Sequence, residues 1–208
     1  MGVKISDMSA ASTPLAGTEL LELVQSGSSV KVAAKDVANS ADALPFGSIT
    51  DRSYGTFCDI TDQSGSTTAG TAVKFGTNIL ASAQITVETD GGGAATEITV
   101  TDTGVYEISA ILQFKNTDTS DRTGTFWLRK NGSDISNTAG VVVVPKTGDG
   151  GLHAASITYL QSLSAGDYVQ IMWLPSNTAV TLDYTAAAGG PPATPAVPSS
   201  YVCVNRIA

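Results

Sequence analysis

Few side chains in this sequence could do chemistry, and their spacing argues against most reactions. A hydrolytic triad needs a nucleophile, a base and an orienting acid. The chain holds one histidine, His153, with Gly150-Gly151 before it and Ala154-Ala155 after it, and no G-x-S-x-G elbow. His153 is expected to be an ordinary strand-end residue. Two carboxylate pairs, Asp59 with Asp62 and Asp118 with Asp121, have the composition of a glycosidase couple. That chemistry requires one carboxyl held in a cleft with its pKa raised by burial, whereas Asp118 and Asp121 lie in a Thr-Asp-Thr-Ser-Asp-Arg turn where solvated acids are ordinary. The run Asp90-Gly91-Gly92-Gly93 has neither the G-x-x-x-x-G-K-[ST] spacing of a phosphate cradle nor the alternating acids of a calcium loop, and reads as a flexible hairpin tip. Two distant cysteines, Cys58 and Cys203, and a lone histidine cannot supply four tetrahedral zinc ligands. No catalytic residue, metal or cofactor is expected, and the chain reads as a non-enzyme.

Binding chemistry is equally constrained. Trp127 and Trp173 could act as sugar platforms, but both lie inside strand patterns, so at least one is expected in the core. With 11 basic against 19 acidic residues the formal charge is −8, which opposes binding to a phosphate backbone. The apolar runs, such as Val141 to Val144, are far too short to span a membrane, and the opening Met-Gly-Val-Lys-Ile-Ser-Asp has no apolar signal core. Neither nucleic acid nor membrane is an expected partner, and synthesis in a reducing cytosol is. The cysteines sit near the two ends of the β region, where first and last strands of a sandwich often neighbour each other. A disulfide is one reading, and free thiols, favoured by a reducing compartment, are the other.

The elements that must carry these residues are strands. Hydrophobic residues make up 42% and charged residues 14%, with 21 glycines and many Thr, Ser and Val, the usage of short strands joined by tight turns. Strand patterns run over 54–60, 72–75, 85–87, 97–100, 105–114, 124–130, 141–144, 153–163, 168–174, 180–183 and 201–207. Asp102-Thr103-Gly104 launches the longest, whose even residues Tyr106, Ile108, Ala110, Leu112 and Phe114 form one apolar face. Asn131-Gly132 is the sequence of a type I′ hairpin turn, and Ser164-Ala165-Gly166-Asp167 separates two further strands. Residues 186–198, rich in Ala, Gly and Pro, read as a long surface loop. Before residue 53 the pattern thins to a short strand at Ser29–Val32, a helical turn through Ala33–Val37 and a linker over 39–52 containing Leu44-Pro45-Phe46-Gly47. A segment with so small a core of its own is expected to order only against a partner.

The succession Tyr54-Gly55, Asp102-Thr103-Gly104-Val105-Tyr106, Leu128-Arg129-Lys130-Asn131-Gly132 and Leu163-Ser164-Ala165-Gly166-Asp167-Tyr168-Val169 resembles the tumour-necrosis-factor and complement C1q-like jelly roll in its bacteriophage form. That resemblance implies an all-β fold, an antiparallel ten-strand jelly-roll sandwich assembling as a homotrimer around a threefold axis. The stretch from Ile5 to Leu20, continuing through Val24-Gln25-Ser26-Gly27 and Val30-Lys31-Val32, resembles the anchor segment of tailed-phage fibres and spikes, here with no shaft after it. The organisation expected is an extended anchor over 1–38, a linker over 39–52 and a trimerisation knob over 53–208. Ile5, Leu15, Thr18, Leu20, Val24, Val30 and Val32 would form the anchor.

The leading functional expectation is a virion-surface structural protein, a capsid decoration or cement protein docked through its N-terminal segment onto the major capsid protein. A short tail fibre or spike subunit, docked onto a tail or adaptor protein and facing a host-surface glycan or receptor, is the alternative. A soluble binding module of the same fold is the third. Alternation makes the trimer contact specific: if Tyr106 to Phe114 face the core, Ser109, Ile111 and Gln113 face away, and with Val202 and Val204 inward, Tyr201 and Cys203 join them.

Overall fold

The computed structural model describes residues 20–25, 28–33 and 53–208. The chain divides into two units, residues 1–51 and 52–208. In the first, β1 (Leu20–Gln25) and β2 (Ser28–Ala33) form an antiparallel hairpin in register from Leu20↔Ala33 to Gln25↔Ser28. Sequence alternation indicated only the second of these strands, because Leu-Leu-Glu-Leu-Val has apolar residues at both parities. Leu20, Val24, Val30 and Val32 of the expected anchor lie on this hairpin. Ala33, expected to open a helical turn, is instead the last residue of β2; Ile5, Leu15, Thr18, residues 34–37 of that turn and the linker at 39–52 fall outside the described residues.

The second unit is built wholly from antiparallel pairs. Ten strands form two five-stranded layers, with short additional ladders at their margins. Sheet one runs β6 (Thr77–Ala81), β3 (Tyr54–Asp59), β16 (Ser200–Arg206), β9 (Gly104–Asn116), β13 (Leu152–Leu163). Sheet two runs β7 (Ile85–Thr89), β8 (Ala95–Val100), β14 (Tyr168–Pro175), β10 (Arg122–Lys130), β12 (Gly140–Val144). The margins carry β4 (Gln63–Ser64), β5 (Thr71–Ala72), β11 (Ser133–Asp134) and β15 (Val180–Leu182). The chain passes back and forth between the layers, and its last strand, β16, lies between β3 and β9. This is an antiparallel jelly roll.

Alternation explains why these residues make these strands. Tyr106, Ile108, Ala110, Leu112 and Phe114 are all at most 2% exposed and meet Ile98, Val100, Leu128, Val169, Ile171 and Trp173 from sheet two. Phe114 and Trp173 touch edge to face, with ring centroids 5.9 Å apart and planes at 71°, a favoured aromatic geometry. Trp173 is thus the core tryptophan. Trp127, of opposite parity on β10, lies half-buried on the outer face, and its Nε1 donates to Asp134 at 2.7 Å. Asn131 and Gly132 both have positive φ, 48° and 79°, as a type I′ turn demands.

The motifs behind the family resemblance meet in space and maintain the fold. The Lys130 ammonium pairs with the Asp167 carboxylate at 2.7 Å, Asn131 Nδ2 donates to the other Asp167 oxygen at 2.7 Å, and the Tyr168 N–H donates to Asn131 Oδ1 at 2.9 Å. One carboxylate therefore latches two turns together. Tyr106 closes the start of β9 in a similar way, its hydroxyl donating to the Asp102 carbonyl at 2.7 Å.

Two local expectations differ from the structure. Of the strand expected at 72–75, only Ala72 pairs in a ladder, together with Thr71 before it. Val73 and Phe75 are still buried, and their N–H groups donate to Ile171 and Ala95 carbonyls across an irregular segment. Strand β6 was not legible, because a register shift at its pairing with β3 breaks the two-residue period.

Candidate functional site

The residues that looked chemical are occupied by the backbone. Asp59, buried, accepts from the Thr61 N–H at 2.9 Å and the Gly76 N–H at 3.2 Å. Asp62 accepts from the Tyr184 N–H, and Asp121 from the Lys146 N–H. Asp118 takes the Arg122 guanidinium, Nε to oxygen 2.8 Å, and that hydrogen bond holds its carboxyl below the usual range. Asp90 accepts from Ala94 and Gly92 N–H groups and the Thr96 hydroxyl, which lowers its pKa and ties the glycine tip into a defined turn. His153 is the second residue of β13, opposite Phe114. Among the described residues no three His, Cys, Asp or Glu side chains converge.

What stands out instead is the outer face of sheet one. Register places Cys58, Tyr201, Ile111 and Ser156 in one row across four strands, and Thr56, Cys203, Ser109 and Thr158 in the next. Neither row carries a charge, on a chain whose net charge is −8. Charge enters only toward the ends of the face, at Glu107 and at Lys115, which pairs with Asp183 at 2.8 Å. The hydroxyls satisfy one another: Ser109 and Thr158 oxygens are 3.0 Å apart, and Asn205 Nδ2 donates to Cys203 Sγ at 3.4 Å. Desolvating such groups costs little, because they lose few bonds to water. At the centre Ile111, 39% exposed, lines a hollow of about 230 Å³ with Gln113, Pro198 and Tyr201.

The five residues singled out from sequence, Ser109, Ile111, Gln113, Tyr201 and Cys203, all lie on this one face. Both cysteines are free thiols. Cys203 stands opposite Thr56 and Cys58 opposite Tyr201, so the thiols are diagonal neighbours on adjacent strands. Burial pushes the Cys58 thiol up, and the neighbouring Asp59 charge adds to the effect.

Further exposed apolar residues stand on the two edge strands, on opposite outer faces: Val141 and Val143 of β12 lie opposite Thr125 and Thr123 on the outer face of sheet two, and Leu152 and Leu160 of β13 lie opposite Lys115 and Glu107 on the outer face of sheet one. All four are more than half exposed. The sequence hid the β12 pair, since four consecutive valines carry no period; pairing with β10 turns Val141 and Val143 outward while Val144 is buried. The β12 valines are therefore a different surface from the Ile111 face, whereas Leu152 and Leu160 belong to that face.

The unit also has two distinct ends. Ser53, Arg206 and Ala208 meet at one, through Arg206 N–H to Ser53 O at 2.9 Å and Val105 N–H to Ala208 O at 2.7 Å. The connections at 60–62, 117–121, 145–151, 176–179 and 183–199 gather at the other.

No protein-family model and no curated protein matches this chain. Among solved structures it is similar to the crystal structure of murine APRIL at pH 8.5, with 11% identity and a TM-score of 0.47, over 76% of this chain and 100% of that one. A crystal structure of murine APRIL at pH 5.0 gives 12% identity and a TM-score of 0.46 over the same shares. The jelly-roll assignment stands on the strand order itself.

Proposed function

We propose that the chain is a structural protein of a tailed-phage virion whose jelly roll assembles as a homotrimeric surface knob, mounted through the N-terminal segment as a capsid decoration protein. The observation that carries self-association is the charge-free outer face of sheet one with its hollow at Ile111. Depletion of charge at the centre of a patch, with aromatic and aliphatic groups filling it, is the compositional mark of a protein interface. Val141 and Val143 of β12, on the outer face of sheet two, supply a second, different apolar surface. An interface that joined two different patches would be heterologous, giving a ring where its rotation closes and a filament where it does not; the family resemblance in the sequence favours a closed ring of three.

The virion setting is supported by the resemblance of residues 5–32 to phage anchor segments. In this reading the anchor docks onto the major capsid protein, the knob faces outward, and no catalytic step is involved. Particles assembled with full-length chain and with a variant lacking residues 1–38 test it by electron microscopy. Many copies over the head, lost on truncation while the truncated protein stays folded, support the proposal. A few copies at the tail would move the mounting to a fibre or spike. Undiminished incorporation of the truncated protein would overturn the anchor.

A further inference from the structure

The connection from β15 to β16 is left unexplained by the knob reading alone. From Tyr184 to Asn205 the chain carries no charged side chain, and within that stretch residues 185–197 form an exposed arm. The arm pairs with itself. Thr185 and Val197 exchange N–H···O bonds of 2.9 and 2.8 Å, and Ala188 and Thr194 exchange two of 3.1 Å. Successive pairs are therefore three residues apart on both segments. In a β-strand the third residue along points to the opposite side, so the two-residue period does not apply here. An extended chain that repeats every third residue is a polyproline II helix. The prolines enforce it on the second segment: Pro195 and Pro198 fix their own φ, and Thr194 and Val197, each before a proline, are held out of the helical region. No residue from 185 to 198 has a positive φ.

The period decides which side each residue faces. Thr194 and Val197 face the paired segment, Pro195 and Pro198 share a second side, and Ala193 and Ala196 share a third. Pro198 lines the hollow with Ile111, Gln113 and Tyr201. Pro195, one turn and about 9 Å further along the chain, points the same way. The charge-free outer face of sheet one thus continues past its last row as a proline ridge on the arm. Proline adds apolar area with no side-chain entropy to lose on docking. An interface of ordinary size covers about 800 Å² per partner, a patch reaching roughly 15 Å from its centre. Centred on the hollow, such a patch takes in Pro195.

We infer that the neighbouring copy that covers the Ile111 hollow also covers the proline ridge, with Pro195 inside the contact and Ala193 and Ala196 outside it. The inference rests on the self-association reading. Sedimentation equilibrium of the full-length protein over a dilution series tests it, with Pro195→Glu, Pro195→Ala, Ala193→Glu and Ala196→Glu compared with the parent. The three glutamate variants change the net charge equally, so they differ in the side on which the carboxylate stands. Pro195→Glu is expected to raise the dissociation constant of the assembly at least about tenfold, because an unpaired carboxylate must leave water. Ala193→Glu and Ala196→Glu are expected to stay within about twofold of the parent, as exposed substitutions do. Pro195→Ala loses the same constraint on φ without adding a charge, and should weaken assembly less than Pro195→Glu. Equal effects at Pro195 and Ala196, whether large or absent, would overturn the ridge contact. So would a Pro195→Ala effect as large as that of Pro195→Glu, which would reduce the residue's role to stiffening the arm. Dissociation by Ile111→Asp but not by Pro195→Glu would keep the self-association reading and discard this inference. A parent that is monomeric at all concentrations would refute the self-association reading, and the ridge contact would fall with it.

Discussion

Ile111→Asp separates the role of the outer face from the stability of the fold. Ile111 points away from the core, so the protomer loses no internal packing of the kind that Leu112 or Phe114 provides. Fully burying an isoleucine contributes ~1.5–3 kcal/mol, but Ile111 is only 39% exposed in the protomer. Covering that remainder contributes ~0.6–1.2 kcal/mol per copy on the same scale. Over a trimer this is ~2–4 kcal/mol, or about twenty- to several-hundred-fold in the association constant. Ile111→Ala should cost about that much and leave a weakened trimer. An introduced carboxylate adds a larger effect, since an unpaired charge taken out of water costs several kcal/mol per ion after relaxation. The charge term exceeds the lost contact, and three copies incur it together. Light scattering coupled to gel filtration should show Ile111→Asp as a monomer with a melting temperature close to that of a dissociated parent. Because burial favours the neutral acid, association should partly return as the pH is lowered through the carboxylate range. A trimer as stable as the parent at neutral pH would refute the placement of Ile111 in the interface.

Three further outcomes follow from the same geometry. Hydrogen bonds from Lys130, Asn131 and Ser164 hold Asp167 down to about 2 from 3.8. A depressed carboxylate contributes stability that is present above its unfolded value and lost as pH falls through its folded value. The difference in Tm between parent and Asp167→Asn should therefore be steady at neutral pH and shrink from about pH 4 to about pH 2; a difference that does not vary with pH would remove the latch. Denatured without reductant, the protein should take up two alkyl groups by intact mass, one each on Cys58 and Cys203, and failure of both to alkylate would show a disulfide. In the native assembly both thiols should label slowly, Cys58 from burial and Cys203 from the interface; in Ile111→Asp only Cys203 should speed up, and equal rates at Cys203 in both proteins would place it outside the contact.

Much of the fold was written in period-two alternation. The parity of residues 105–114 located the core face of β9 and with it the outward set at Ser109, Ile111 and Gln113, and the Asn131-Gly132 turn gave a hairpin whose positive φ values the structure contains. Ladders such as Gln63–Ser64 and Ser133–Asp134 span two residues, too few to show a period. The fold makes them, through pairing with strands distant in sequence or across a turn. Leu20–Gln25 and Thr77–Ala81 put apolar residues at adjacent positions, and β6 also carries a register shift, so pattern alone did not reveal them. At the candidate site, Ile111 was legible because one β-branched residue stood among polar ones. Its setting was not. The absence of charge across Cys58, Tyr201, Ser156 and Thr158 depends on pairing between strands about 50 to 150 residues apart, and the outward turn of Val141 and Val143 depends on the register of β12 with β10.

The central claim is that the outer face of sheet one is covered by another copy of the chain. Side-chain labelling of the native protein, read together with its solution mass, tests this most directly. The account predicts a mass three times that of the chain at micromolar concentration, with side-chain labelling of Tyr201 and Cys203 suppressed in the parent and released in Ile111→Asp. A parent that stays monomeric across the concentration range, with Tyr201 and Cys203 labelling at the same rate as in Ile111→Asp, would contradict it.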